Sequence, residues 1–229
     1  MAFVQKQSNQ NFTGTSVGSL ATGNMTGGVV SGNKLIVAVF FYGSTTTTTV
    51  TDTLGNTYTQ RGTTLQNAGG DNFLRFYDAT SSGSGTNSVT VTFGANRAYP
   101  AISVSEYSNL GAFDQYAGQA QVAPGTGTDA VTSGNATPTA QPATQFGLSG
   151  RFELESNPMA AGTGFNDRGV MWNESRTEDR TLSALSASAV TFTAGVGAGT
   201  YLTAQLIYTD GGGGGGSTPP RNLLLLGVG

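Results

Sequence analysis

The sequence contains no cysteine and no histidine, and only 10 % of its 229 residues are charged. Without cysteine the chain cannot form a disulfide framework, a cysteine-ligated zinc site, an iron–sulfur cluster or a thiol nucleophile. Without histidine it lacks imidazole metal ligands and the Ser–His and Cys–His pairs of many hydrolases. These absences exclude most familiar hydrolytic mechanisms, and we expect a non-enzymatic protein without a cofactor or a metal site.

The chain also lacks a basic charge balance. Ten Lys and Arg residues against thirteen Asp and Glu residues give a formal net charge of −3. Proteins that bind nucleic acids present a basic surface, so we do not expect nucleic acid as a partner. Because charged residues are scarce, Thr, Ser, Asn, Gln and Gly must cover most of the surface.

No long apolar run is present. Residues 1–6 lack the charged start and apolar stretch of a secretory signal, and no window approaches the roughly 20 apolar residues that span a bilayer. We therefore expect a soluble chain without membrane insertion. A location in a virus particle released by lysis would reconcile this with the durable, Gly- and Thr-rich composition.

Short β-type runs separated by Gly, Asn, Ser and Pro fill the sequence instead. The clearest is Lys34–Tyr42 (KLIVAVFFY), whose β-branched and aromatic residues on both faces predict a central strand covered on both sides. Residues 72–79 (NFLRFYDA) alternate between two faces. Further predicted strands are residues 45–52, 57–61, 88–93, 101–108, 146–154, 175–182, 189–193 and 201–209.

This spacing predicts an all-β fold, an antiparallel, jelly-roll-like β-sandwich over residues 1–210. The helical patterns of an α/β fold and the fixed period of a β-solenoid are both missing. Gly55 and Asn56 predict a tight hairpin that joins residues 45–52 to residues 57–61. Residues 117–142, poor in large apolar groups, are interpreted as a long loop or an irregular edge.

The C-terminal end differs from the rest. Residues 211–220 form a Gly/Pro linker that opens with six consecutive glycines, which are incompatible with a strand or helix interior. Residues 221–229 form an apolar peptide, which we expect to anchor the chain because apolar side chains on a flexible linker gain free energy by docking. It could add a strand to another chain or fold back on its own sandwich. The residues predicted to bind a partner are Leu223, Leu224, Leu225, Leu226 and Val228.

The order of these motifs resembles a β-sandwich domain family of bacterial surface proteins and phage virion proteins, which include decoration and tail accessory proteins. The resemblance implies an adhesive or structural module and transfers no catalytic motif. The polyglycine run with a leucine-rich end is similar to the ends of some phage tail and head accessory proteins. The matching stretches are residues 32–41, 50–60, 74–80, 89–93, 102–110, 162–169, 177–193 and 202–210.

The densest group of carboxylates is Glu174, Glu178 and Asp179. A glycosidase needs two carboxylates on either side of a sugar, so the group is a candidate catalytic dyad. On a strand, however, Arg176 shares the face of Glu174 and Glu178. Interleaved opposite charges favour ion pairs on a solvated strand.

One carboxylate, Glu106, lies inside an apolar run (AISVSEYS). An inward-facing carboxylate needs a partner, and Arg75 and Arg97 are the candidates. A structural pair is favoured over a catalytic acid.

Two Asp/Asn groups resemble calcium ligands in type. Asp52 and Asn56 flank the predicted turn, and Asp167 follows Asn166 in another loop. Neither has the regular spacing of a calcium loop, and an Asp before a turn normally caps its own backbone.

Exposed aromatic rings are the usual sugar-binding feature of a sandwich. Trp172, the only tryptophan, lies in a loop-like stretch beside Asn173, and Tyr99 lies near a turn. These three residues are candidates for glycan binding, although the favoured interpretation of Trp172 is that it closes one end of the core. The threonine run 45–49 could order water or bind ice, but β-propensity explains it as an edge strand.

Two functions follow. The first is a virion structural or accessory protein, a head decoration, neck or tail component of a phage. It would dock through its tail onto capsid, neck or tail proteins or onto copies of itself in a homo-oligomer. The alternative is a carbohydrate-binding or adhesin module of a bacterial surface protein or phage fibre, which binds cell-surface glycans. The first needs the tail, whereas the second needs an aromatic face such as Trp172.

Overall fold

The computed structural model describes residues 4–151, 159–172 and 175–211, and every regular element within them is a β-strand. The prediction of an all-β protein is therefore confirmed. Since these residues form no helix, they contain none that could cross a membrane. The strands are β1 (Val4–Phe12), β2 (Val17–Asn24), β3 (Lys34–Tyr42), β4 (Thr48–Asp52), β5 (Thr59–Gln66), β6 (Asn72–Thr80), β7 (Ser88–Ser108), β8 (Leu110–Ala123), β9 (Ala130–Thr132), β10 (Ala143–Gly150), β11 (Ala160–Ala161), β12 (Asn166–Gly169), β13 (Ser175–Leu182), β14 (Thr191–Thr193) and β15 (Gly199–Asp210).

In the described residues the strands form three sheets, and the paired strands run antiparallel. The first has seven strands in the order β1-β7-β3-β6-β5, with β2 and β4 also paired to β7. The second has the order β12-β13-β10-β15-β8, and the third the order β11-β14-β9. The arrangement is sandwich-like, as the sequence predicted.

β7 joins two parts of the first sheet. The sequence predicted separate strands at residues 88–93 and 101–108, but the structure has one strand of 21 residues. Its first part pairs with β2 and β4, and its second part pairs with β1 and β3. Tyr99, with a φ of 50°, lies between the two parts, so the strand bends where the sequence suggested a break.

The two faces of β3 belong to different apolar clusters. Phe40 packs with Phe76 of β6 and Phe146 of β10 between the first and second sheets. On the opposite face, Phe41 packs with Val91 from the first part of β7. The prediction of a central strand covered on both sides is therefore confirmed. Full burial of an aromatic side chain such as Phe40 or Phe41 contributes about 1.5–3 kcal/mol to stability.

The third sheet covers the outer face of the second sheet. Val131 and Phe192 from the small sheet pack against Tyr201 of β15 and against Val190, which precedes β14. The central strands of both large sheets are thus buried on both faces. This explains why every residue of β10 is buried and why β15 is buried except at its two ends.

Two parts of the chain form strands that the sequence did not predict. For residues 117–142 the loop interpretation is wrong and the edge interpretation fits better, because the edge strand β8 extends to Ala123 and β9 lies within them. β8 is an edge strand whose residues are mostly half-buried, so it needs few large apolar side chains. The strand β1 is also an edge strand, and most of its residues are exposed, so its sequence is polar and lacks an apolar strand signal.

The predicted hairpin at Gly55 and Asn56 is wrong. β4 pairs with β7 and β5 pairs with β6, so the turn joins strands that are not partners. Side chains stabilise this turn: the Asp52 carboxylate accepts hydrogen bonds from the Asn56 backbone N–H (2.9 Å), the Asn56 amide (2.7 Å) and the Tyr58 hydroxyl (2.9 Å). Burial of Asp52 opposes ionisation, but these bonds outweigh it and lower its pKa. The prediction that this Asp caps its own turn is confirmed.

Candidate functional site

A cleft of about 530 Å³ lies beside β5 and β6 of the first sheet. Its walls combine apolar surface with hydroxyl, amide and guanidinium groups, and no carboxylate is among the lining residues. We call it the threonine cleft. Its lining residues are Thr45, Thr46, Thr47, Thr48, Gln60, Thr64, Arg75 and Tyr77.

An irregularity in β5 shapes one wall of the cleft. Gln60 pairs with Tyr77, but the register then shifts so that residues 61–65 of β5 face only residues 74–76 of β6. Such a bulge redirects side chains, and here it places the Thr64 hydroxyl 2.9 Å from Arg75 Nε. Gly62 allows the bulge because its φ is +67° and an added Cβ would lie 2.3 Å from the Tyr116 ring.

Arg75 lines the cleft with only 7 % of its surface exposed. Its Nε donates to Thr64 Oγ1 at 2.9 Å, and its Nη1 donates to Thr48 Oγ1 at 2.8 Å. The guanidinium carbon lies 5.4 Å from the centroid of the Phe41 ring. No Asp or Glu of the described chain forms an ion pair with it.

The polar groups of the cleft are linked to one another. Tyr77, itself buried, donates to Gln60 Oε1 at 3.4 Å and hydrogen-bonds to the Thr48 hydroxyl. A chain of donors therefore runs from Arg75 through Thr48 and Tyr77 to Gln60. With fixed donors and acceptors but no carboxylate to act as a general base, the cleft is suited to binding rather than to acid–base chemistry.

Trp172 lies in the core between the first two sheets. Only 8 % of its surface is exposed, its ring centroid is 4.5 Å from that of Phe40, and its indole N–H donates to the Arg151 carbonyl at 3.1 Å. Tyr99 is half-buried at the bend of β7. Because the indole is in the core, these two residues do not form one exposed aromatic face.

The remaining predicted binding residues lie outside the described residues. They are Asn173 and the tail residues Leu223, Leu224, Leu225, Leu226 and Val228.

Asp179 is buried rather than part of a solvated ion-pair strand, so that expectation is wrong. β13 lies between β10 and β12, and Asp179 is fully buried there. Arg168 pairs with its carboxylate through Nε at 2.5 Å and Nη2 at 2.9 Å. Tyr107 donates to it at 2.7 Å and Asn166 at 2.9 Å. Burial and the neighbouring Asp179 charge raise the pKa of Tyr107 well above its usual value.

Glu178 also lacks the predicted arginine partner on its strand. It is buried and accepts a hydrogen bond from the Gly162 N–H at 2.7 Å, and burial raises its pKa to about 7. Arg176 pairs instead with Asp167 of β12. Glu174 lies outside the described residues. The structure therefore does not support a dyad of Glu178 and Asp179, because the two carboxylates lie on opposite faces of β13 and Asp179 is paired with Arg168.

Glu106 is fully buried, but its predicted arginine partners are wrong. Arg75 bonds to threonines, and neutral donors hold the Glu106 carboxylate, which satisfies it without burying a second charge beside it. These donors are the Gln7 amide at 2.7 Å, the Val30 backbone N–H at 2.9 Å and the Asn33 amide at 2.6 Å.

Sequence reasoning missed the threonine cleft although two signals marked it. The sequence predicts an edge strand for the threonine run 45–49, and within the described residues β4 begins at Thr48 and pairs with β7 alone. Arg75 lies on the same strand face as Phe73 and Tyr77, which are both in the second apolar cluster. An arginine on an otherwise apolar strand face is therefore a signal in the sequence. That it marks a cleft becomes clear only once the position of β5 is known.

Comparison with known proteins identifies no family for this chain. No protein-family model, curated protein or solved structure matches it. The functional argument therefore depends on the residues and geometry described above.

Proposed function

We propose that this chain is a non-enzymatic accessory protein of a virus particle and that its β-sandwich binds carbohydrate in the threonine cleft. The cleft is the observation that carries the proposal. Saccharide hydroxyls both donate and accept hydrogen bonds, and the cleft offers threonine hydroxyls, the Gln60 amide and a guanidinium in fixed positions. A concave site with a few placed polar groups is typical of small-ligand binding.

A glycan array with the full chain tests the cleft. We expect saccharide binding that falls about 2- to 10-fold in the Gln60→Ala variant, because one hydrogen bond contributes about 0.5–1.5 kcal/mol. Gln66→Ala is the matched control, since Gln66 is an exposed glutamine on the same strand but does not line the cleft. The absence of any bound saccharide, or equal losses in the two variants, would contradict the proposal.

The apolar C-terminal peptide supports the particle part of the proposal. Residues 221–229 follow a polyglycine linker, and their leucines would be covered by docking onto a capsid, neck or tail protein or onto another copy of this chain. The protein would then be a head decoration, neck or tail component of a phage. A bacterial surface adhesin is the alternative, and its binding would not require the tail.

Truncation distinguishes the two locations. We expect the full chain to form defined oligomers or to bind particles that lack it, and a chain ending at Asp210 to do neither, as measured by light scattering and negative-stain microscopy. The matched control keeps the full length and replaces residues 223–226 by serine, which removes the apolar contacts but not the linker. Identical monodisperse behaviour of all three chains would refute tail docking.

A further inference from the structure

The charge of Arg75 is uncompensated within the described chain. The partly buried Arg61 and Arg168 each pair with a buried aspartate, Asp78 at 2.8 Å and Asp179 at 2.5 Å. Arg75 is more deeply buried than either, yet its protein acceptors are two neutral threonine hydroxyls.

Burying a guanidinium without a counter-charge is costly. Removing an ion from water costs several kcal/mol even after relaxation, and this cost is offset by a full set of hydrogen bonds, as at Glu106, or by a paired charge. The two threonine bonds and the Phe41 ring offset part of it. An anion in the cleft would offset the rest.

The donors needed for such an anion are available. Among the described residues, the hydrogen bonds of Arg75 use Nε and one N–H of Nη1, and none uses Nη2. A guanidinium has five N–H donors, so three remain. Two N–H groups of an arginine match the two oxygens of a carboxylate or sulfate, a geometry that lysine cannot supply.

We propose that the threonine cleft binds an acidic saccharide, with Arg75 holding its carboxylate or sulfate group and the threonine hydroxyls and Gln60 holding its sugar hydroxyls. This inference rests on the proposed carbohydrate binding and names its ligand class. The other residues that line the cleft are neutral, so we expect the bound part of the saccharide to carry a single acid group.

The test uses the full chain on an array of saccharide pairs that differ only in the acid group. Each uronic acid is paired with its parent hexose and each sulfated sugar with its unsulfated form. We expect the acidic member to bind about 10- to 100-fold more tightly, which is the range for a charge-assisted hydrogen-bonded contact. Arg75→Gln should abolish this preference. Lys6→Gln, which removes an exposed positive charge on β1, should leave it unchanged.

Arg75→Lys separates charge from geometry, and thermal denaturation establishes that each variant is folded. We expect the lysine variant to lose most of the preference. If Arg75 variants do not fold, the salt dependence of the unaltered chain decides: affinity for the acidic member should fall as NaCl is added, while affinity for its neutral partner stays constant.

The outcomes separate the two proposals. Equal affinity for acidic and neutral members, or unchanged preference in Arg75→Gln, overturns the acid-group inference and leaves carbohydrate binding intact. If inorganic sulfate binds as tightly as the sulfated sugars, and the affinity does not depend on the sugar, the cleft is a simple anion site. That result overturns the acid-group inference as well. Binding of no array member refutes both.

Discussion

Replacing Arg168 by methionine is expected to lower the free energy of unfolding by about 3–5 kcal/mol. Asp179 is fully buried, and Arg168 supplies its counter-charge through two hydrogen bonds. In the variant the carboxylate would keep only the Tyr107 hydroxyl and the Asn166 amide. Equilibrium urea denaturation of the two chains measures the loss.

The chain contains a matched control for this substitution. Arg176 pairs with Asp167, whose side chain is 43 % exposed, so water screens that pair. Arg176→Met should therefore cost at most about 1 kcal/mol. Adding Asp179→Asn to Arg168→Met should recover part of the lost stability, because it removes the buried charge. Equal losses for Arg168→Met and Arg176→Met would show that burial of the aspartate does not determine the cost.

The parts of the fold that follow from local pattern could be predicted from the sequence. Lys34–Tyr42 has apolar residues on both faces, and a strand covered from both sides is the arrangement that buries them all. Ser175–Leu182 was predicted with its observed bounds. In contrast, β8 was missed because an edge strand packed on one side needs few large apolar residues.

Pairing between distant segments could not be predicted in the same way. The local signal at Gly55 correctly indicated a positive φ, observed at 71°, but it did not reveal that β4 and β5 have different partners. The interleaved charges of β13 predict ion pairs within that strand, whereas Arg168, the partner of Asp179, lies on the neighbouring β12. Which charges meet is decided by strand order and register, and these depend on contacts across the whole chain.

The threonine cleft shows the same limit. The alternation of residues 72–79 placed Arg75 beside Tyr77 on one face, as observed. Its contact with Thr64 depends on the bulge in β5, and the bulge depends on Gly62 fitting against Tyr116 of β8. The cleft combines residues of three strands and a threonine loop, so it could be identified only from the tertiary structure.

The second large effect concerns Trp172. Trp172→Ala is expected to lower the free energy of unfolding by about 3–5 kcal/mol, because it removes a large side chain from the core and leaves a cavity against Phe40. The change also leaves the Arg151 carbonyl without its indole donor. Trp172→Phe keeps most of the ring contact and should lose much less, of the order of 1–2 kcal/mol. Thermal and urea denaturation measure both variants.

The same variants test which surface binds saccharide. Because Trp172 is in the core and the threonine cleft is lined by other residues, Trp172→Phe should bind saccharides with unchanged affinity, and Trp172→Ala should do so at temperatures where it remains folded. Unchanged stability of Trp172→Ala together with loss of saccharide binding would place the ring at the ligand and remove the binding role from the cleft. We expect Trp172→Ala to lose stability and to retain saccharide binding, because Trp172 packs between the two sheets whereas other side chains line the cleft.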